Sequence, residues 1–301
     1  MYHFIVNPSS SSGKGLSVWT EVKSVLDQKQ IKYTATLLEH PGQAGEIAAS
    51  GSLSGKVILV GGDGTINEFL SGLSSFDGIT FGYIPTGSGN DFARGMKLPF
   101  SPADALEMIL TSRRRRYINI GTVTADGISR SFAVSSGAGY DAAVCYEVDR
   151  DSDKELLNRL HAGKLIYFKN ALKMLFSMKR FSLRLVLDNG TLRSFDKAYF
   201  AAAMNSRFEG GGFRFCPDAD PTDDMLDIIV AEGLPKLIVL LILPTAFFGL
   251  HRYFPGIHIY RCRKARLLCG TGQCVHTDGE HVTFAKDISF SLRSEKLKLI
   301  V

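Results

Sequence analysis

Residues 56–65 read KVILVGGDGT, and INEFL follows at 66–70. Four apolar residues in a row suit a buried strand, and they empty into two glycines, an aspartate, a third glycine and a threonine. Glycine lets the backbone approach a ligand closely and offers bare N–H donors, and a helix beginning just beyond adds its positive end. The stretch is therefore built to make room for phosphate, with Asp63 placed to hold a metal ion or its water shell.

Two other turns share this character. NPSSSSGKG (7–15) follows the strand-like MYHFIVNP, and PTGSGNDFARG (85–95) follows ITFGYI. In a parallel sheet such turns converge at the carboxyl ends of the strands, where ligands sit. One glycine turn alone reads as a tight connection; three, two of them carrying an aspartate, read as a binding site.

Around these turns strand and helix alternate. IKYTATLLE is a second strand, and helical patterns are predicted over Leu16–Gln30, from Pro41 toward Ala49, over TINEFLSGL, and over DFARGM with Ser101–Thr111. Alternation of this kind predicts an α/β domain with a parallel sheet and helices on both faces. From about Ile118 the texture changes. Asp126-Gly127 and Asn189-Gly190 mark two hairpins, and a helical pattern from about Lys154 to Met178 separates them. MLDIIVAEG, RKARLLCGT, HVTFAK and ISFSLRS then follow as short β-like runs. The predicted division is an α/β domain over 1–120 and a mainly antiparallel, sandwich-like β domain over 121–288.

Composition bounds the function. The 301 residues are 45% apolar and 22% charged, enough for a well-buried core, and the net charge of +5 is too small to argue for nucleic acid. Five cysteines without a CxxC pair, and no signal peptide, predict reduced thiols in a cytoplasmic protein. Cys269, Cys274, His276 and His281 lie close in sequence, but their spacing matches no zinc finger or ribbon. The greasy segment LPKLIVLLILPTAFFGL (234–250) is cut by Pro235 and Pro244 and is too short to span a membrane. It is expected to pack as a helix on its own core, with membrane contact as the alternative. RRRR at 113–116 is expected to close a helix, where cations are favoured, or else to meet an anionic membrane.

Standard motifs do not fit. The P-loop pattern needs glycine at Pro8 and Ser/Thr at Gly15, GGDGTI is not GxGxxG, and a hydrolase elbow at Ser88 needs glycine at Thr86. GGDGT after KVILV, with PTGSGNDFAR about twenty residues on, instead resembles the catalytic domain of the diacylglycerol kinases. Bacterial soluble lipid kinases and sphingosine kinases share that domain, and NAD kinases are more distant relatives. NPSSSSGKG resembles the family's N-terminal nucleotide loop. NSRFEGGGFRFCPDADPTDDMLDI (205–228) resembles its GGG-to-acidic segment, and HTDGEHV (276–282) its late DGE motif.

The resemblance implies a kinase using ATP and Mg²⁺, with an NAD-kinase-like first domain to which a last strand at about 289–301 returns. Gly61, Gly62, Gly64 and Thr65 would contact ATP phosphates and Asp63 the catalytic Mg²⁺. Thr86, Gly87 and Ser88 would line the phosphate channel, and Asn7, Ser11 and Lys14 would complete the nucleotide site. Asp91 would join the metal's water network, cap the helix DFARGM, or both. Glu280 is implied as the general base and Asp278 as support for the metal network, although an Asp-Gly pair between strands also reads as a plain hairpin turn. Asp141 matches a position that engages substrate hydroxyls in sphingosine kinases, or it is an ordinary cap. Asp220, Asp223 and the Met225 carbonyl would hold a second, structural Mg²⁺, or form a solvated acidic turn.

Asn119 departs from the family's aspartate and brings no charge to a metal site. Asp224 stands where glycine is usual. The expected function is phosphoryl transfer from ATP to a lipid hydroxyl, of diacylglycerol or a related lipid. A soluble alcohol acceptor and a nucleotide-binding regulator with lapsed catalysis stay open. The expected partners are the lipid and, transiently, an anionic membrane surface, without nucleic acid, and a homodimer is left open.

Overall fold

Apolar runs cut by glycine- and proline-bearing turns organise the first part of the chain. The computed structural model describes residues 1–150, 163–188 and 190–301. It divides into two units, Met1–Ile120 with Ser294–Val301, and Gly121–Arg293.

The first unit runs β1 (Tyr2–Val6), α1 (Ser10–Gln28), β2 (Tyr33–Leu37), α2 (Gln43–Ala49), β3 (Gly55–Gly61), α3 (Asp63–Gly72), β4 (Ile79–Pro85), α4 (Asp91–Met96), α5 (Pro102–Thr111) and β5 (Arg115–Ile118). The terminal strand β15 (Leu297–Ile300) inserts between β4 and β5, giving the order β2-β1-β3-β4-β15-β5. All neighbours are parallel except β15 and β5. Val57 to Val60 are fully buried, as a strand covered on both faces requires. α3 turns Ile66, Phe69 and Leu70 inward at helical spacing, and Phe69 stacks on Phe81 with centroids 5.7 Å apart. Burying each such side chain stabilises the unit by about 2 kcal/mol.

The second unit runs β6 (Gly121–Ala125), β7 (Ile128–Phe132), β8 (Ser135–Gly139), α6 (Tyr140–Arg150), a helix at Gly163–Ser177, β9 (Phe181–Leu187), β10 (Thr191–Met204) and β11 (Leu226–Glu232). A short helix, Lys236–Ile242, continues into 3₁₀ turns at Leu243–Phe248 and Leu250–Tyr253, and β12 (Ile257–Cys262), β13 (Lys264–Thr277) and β14 (Glu280–Leu292) follow. Pairing is antiparallel. The long strands β10 and β13 hold β9 between their first halves and β8 between their second halves, and each is broken by a register shift where the partner changes. Residues of these strands, including Leu185, Leu267, Ile288 and Phe290, form the unit's buried core.

Several expectations need correction. Arg113–Arg116 does not close a helix: α5 ends at Thr111 and Arg115 already belongs to β5. Arg115 still donates to the Ser112 carbonyl at 3.0 Å, and Arg116 donates to the Met96 carbonyl at 2.9 Å. HVTFAK and ISFSLRS are one strand, because Lys286 and Asp287 fall on β14 without a turn. β12 was not anticipated, since its alternation is masked by the histidine and tyrosine of IHIYRC. The 234–250 segment is not a core helix, for half of its apolar side chains are exposed and only Ile242 and Ala246 are buried. The hairpin at Asp126-Gly127 is present, both residues having positive φ. Asn189 and the first part of the helical pattern from Lys154, up to residue 162, lie outside the described residues.

Candidate active site

Three loops meet at the carboxyl ends of β1, β3 and β4. The Asn7 amide donates to Thr65 Oγ1 at 2.9 Å, Ser10 and Thr86 hydroxyls are 2.6 Å apart, and Ser11 and Ser88 hydroxyls are 3.2 Å apart. Glycine is required for this convergence. A Cβ on Gly87 would lie 2.8 Å from the Gly62 Cα, and one on Gly15 would lie 2.0 Å from the Asn7 carbonyl oxygen. Ser11, Ser12 and Gly13 have successive φ values of 46°, 58° and 95°, so the regular part of α1 begins beyond them, with Lys14 exposed. The left-handed conformation costs each serine about 1–2 kcal/mol. Strain of this kind collects in ligand-binding loops.

Asp63 sits in the first turn of α3, and its carboxylate reaches the start of α4. Oδ2 accepts from the Asp91 N–H at 3.0 Å and Oδ1 from the Phe92 N–H at 3.1 Å. The capping position of α4 is Asn90, in a left-handed conformation with no side-chain cap of its own. Capping therefore comes from Asp63, 28 residues upstream. Asp91 is the first helical residue and not the cap; its buried carboxylate lies 3.5 Å from Arg94 Nε. Tyr83 donates to the Gly61 carbonyl at 3.0 Å. Burial first, and then the Asp63 and Asp91 carboxylates, hold its phenol well above the usual range, so it stays a donor. Asn119 is fully buried between Ile118 and Ile120, where a neutral amide avoids the cost of a buried charge.

The second unit carries a separate polar cluster. Asp278 and Gly279, at φ 49° and 89°, form the two-residue turn between β13 and β14. The Asp278 carboxylate accepts from the backbone N–H groups of Ala133, Val134 and Ser135 at 2.8–3.0 Å. Glu280, next in the chain, is exposed at the start of β14. Behind the turn His276 is fully buried, with Nε2 3.1 Å from Asp141 Oδ2 and 3.3 Å from Glu209 Oε1. Its Nδ1 accepts from the Gly279 N–H at 3.2 Å. Asp141 lies in the first turn of α6 and also accepts from the Ala142 N–H at 2.8 Å. Gly137 makes room for the pair, since a Cβ there would lie 2.3 Å from Asp141 Oδ2. Glu209 and His276 were missed at the level of sequence. The available signals were three consecutive glycines with positive φ after Glu209, and a histidine two residues before the DGE aspartate.

Burial by itself drives His276 toward the neutral ring. The Asp141 hydrogen bond, and then the charges of Asp141, Glu209 and Asp278, outweigh it and raise the pKa from 6.5 to about 9. With the folded value raised, the charged ring stabilises the fold fully below pH 6.5, and that stabilisation is lost as pH rises through about 9. A protonated ring has no lone pair at Nδ1, so protonation must break the Gly279 hydrogen bond. The Gly279 amide resonance is expected to follow the His276 titration with a midpoint well above 6.5. An NMR midpoint at or below that value would mean that Gly279 holds the ring neutral. His276→Leu, which leaves two partly buried carboxylates without their shared donor, is expected to cost about 3 kcal/mol in urea unfolding. His276→Gln keeps a donor and an acceptor and is expected to restore most of that loss.

Asp141, Glu209 and His276 bring three candidate ligand atoms within 4.8 Å of one another, the cluster of this kind among the described residues. A metal does not fit it well: Nδ1 faces a backbone donor, which places the ring's proton on Nε2, the atom that would have to bind the ion. Among the cysteines and histidines close in sequence there, Cys274 Sγ lies 3.2 Å from His281 Nδ1. In the acidic loop, Asp220 accepts from the Thr222 N–H and hydroxyl at 3.0 and 2.7 Å. Asp223 accepts from the Met225 N–H at 3.0 Å and pairs with Arg261.

The architecture is a parallel α/β sheet with three glycine loops, followed in the chain by an antiparallel β unit. Residues 1–123 match the diacylglycerol kinase catalytic domain, and residues 134–301 match the YegS C-terminal NAD kinase beta sandwich-like domain. The chain belongs to the diacylglycerol kinase catalytic-domain family. It is 28% identical over 289 residues to YtlR of Bacillus subtilis, which carries a lipid-kinase name, covering 93% of each chain. It is 32% identical over 225 residues to a diacylglycerol kinase of Mycobacterium tuberculosis, covering 74% of this chain and 70% of that one. A diacylglycerol kinase structure from Bacillus anthracis shares the fold, with a TM-score of 0.72 at 18% identity over 99% and 96% of the two chains. An NAD kinase from Archaeoglobus fulgidus, in complex with ATP, shares it more distantly, with a TM-score of 0.56 at 13% identity over 100% and 94%.

Proposed function

We propose that the chain transfers the γ-phosphoryl group of ATP to the hydroxyl of a lipid, diacylglycerol or a related lipid, with Mg²⁺ as the metal. The observation that carries this reading is the meeting of three glycine loops at the carboxyl ends of β1, β3 and β4, where Asp63 bridges to the start of α4 and the backbones approach closely at Gly62 and Gly87. Backbone N–H groups and the Ser11, Thr65 and Ser88 hydroxyls would bind the phosphates, and Lys14 would add positive charge. Asp63 and Asp91 fit a hard cation by donor type. Each Asp63 oxygen accepts one of these N–H groups, and a carboxylate is the donor type that Mg²⁺ takes. When bound, Mg²⁺ neutralises phosphate charge. Glu280 would take the proton from the acceptor hydroxyl as its oxygen bonds to phosphorus and the bond to the ADP oxygen breaks. Asp278 would fix the turn that carries Glu280.

A second reading of the acceptor rests on Asp141 and Glu209. Carboxylates only accept hydrogen bonds, and a diacylglycerol offers one donor, its reacting hydroxyl. Both side chains are 12% exposed, so they favour an acceptor with a further hydroxyl or an ammonium, such as phosphatidylglycerol or a sphingoid base. The test is γ-labelled ATP with Mg²⁺ and a panel of these lipids in mixed micelles, with glycerol as a soluble alcohol. Label in one lipid, lost in Asp63→Asn, supports the kinase and names its acceptor. Label in glycerol alone points to a soluble acceptor. ATP binding without label in anything points to a regulator.

A further inference from the structure

The segment from Leu234 to Phe254 is fixed to its own unit along one side. Ile242, Ala246 and His251 are buried, and the Arg214 N–H donates to the Ala246 carbonyl at 2.8 Å. His251 Nε2 lies 3.0 Å from the Phe215 carbonyl, and Phe213 stacks on Phe247 with centroids 4.0 Å apart. The other side faces solvent: Leu237, Leu241, Phe248 and Tyr253 are 67%, 71%, 74% and 75% exposed. Eight of the seventeen large apolar side chains exposed among the described residues fall between 237 and 254. Scattered exposed leucines need no explanation; this concentration, on an anchored platform, marks an interaction surface.

The rim is basic. Residues 233–277 contain no carboxylate, and neither do residues 163–187. Lys236 Nζ donates to the Phe176 carbonyl at 2.6 Å, which brings exposed Phe176, Lys179 and Arg180 to the edge of the apolar face. Arg252 is paired with Asp218 at 2.6 Å, so the excess charge comes from Lys179, Arg180 and Lys236. Aliphatic and aromatic side chains ringed by cations match the boundary between anionic head groups and acyl chains. The seven-residue helix rises only about 10 Å, and no helix among the described residues is long and apolar enough to cross a membrane.

We infer that this face docks on an anionic lipid bilayer, lying in the interface with Leu237, Leu241, Phe248 and Tyr253 inserted among the acyl chains. Docking needs no turnover, so it is tested apart from the kinase reading. The full chain is sedimented with vesicles of phosphatidylcholine alone or with one-third phosphatidylglycerol. The wild type is expected to bind the anionic vesicles more tightly. Leu241→Ser/Phe248→Ser is expected to weaken that binding about 30-fold at unchanged melting temperature. Should that pair lower the melting temperature, Leu237→Ser/Tyr253→Ser makes the same test. Lys179→Gln/Arg180→Gln is expected to weaken binding about 30-fold on anionic vesicles alone. Absence of wild-type binding, or full binding by both serine pairs, overturns the proposal. So does a concentration-dependent dimer that a serine pair dissolves, because a second copy would then cover the face.

Discussion

Asp63→Asn is expected to lower phosphoryl transfer from ATP about a thousandfold while costing only about 1 kcal/mol of stability. The two effects separate because the carboxylate has two duties. It caps α4 through the Asp91 and Phe92 N–H groups, and an asparagine oxygen can keep one of those bonds. In the proposed reaction it also supplies negative charge to the metal, which asparagine cannot. Single-turnover rates beside urea unfolding distinguish the duties. A loss of a few kcal/mol with near-normal turnover would make Asp63 a structural cap alone and remove the basis of the nucleotide site. Alanine is the poorer probe, since it removes both capping bonds together.

Glu280→Gln is expected to reduce kcat by a factor of about 100 to 10,000 with little change in stability or in KM for ATP. Glu280 is exposed, so the substitution disturbs no packing. Asp278→Asn is the contrasting variant. Its carboxylate gathers three backbone N–H groups from residues 133–135, and losing charge-assisted acceptance there is expected to cost about 2–3 kcal/mol. That substitution would also loosen the turn beneath Glu280, so its rate loss should recover in part under stabilising osmolyte, while the Glu280→Gln loss should not. Equal stability losses in both variants would show Glu280 to be part of the turn's scaffold and leave the proton without an acceptor in this scheme.

Local chemistry made much of the first unit legible. VILV before GGDGT, the N-terminal Ser/Gly turn and the PTGSGND loop each announce a strand emptying into a helix start, and the parallel order brings them together. The hairpin at Asp126-Gly127 was equally plain, because a type I′ turn needs residues that tolerate positive φ. Legibility failed where neighbours in space set the outcome. The 234–250 run is as apolar as a core helix, and only the loop at 213–217 decides which side it buries. His276 and Glu209 are 67 residues apart in sequence, and neither residue type announces a partner.

By itself the sequence determined the two architectures, the three glycine loops and the membership of Asp63 in one of them, since these follow from periodicity and from backbone freedom that only glycine supplies. The tertiary structure decided that Asp63 caps a helix from another loop, that Asp278 serves three distant amides, and that His276 joins two carboxylates. It also decided that the greasiest segment faces outward. Hydrogen-bond partners and burial are properties of distance in space, and chain order does not carry them.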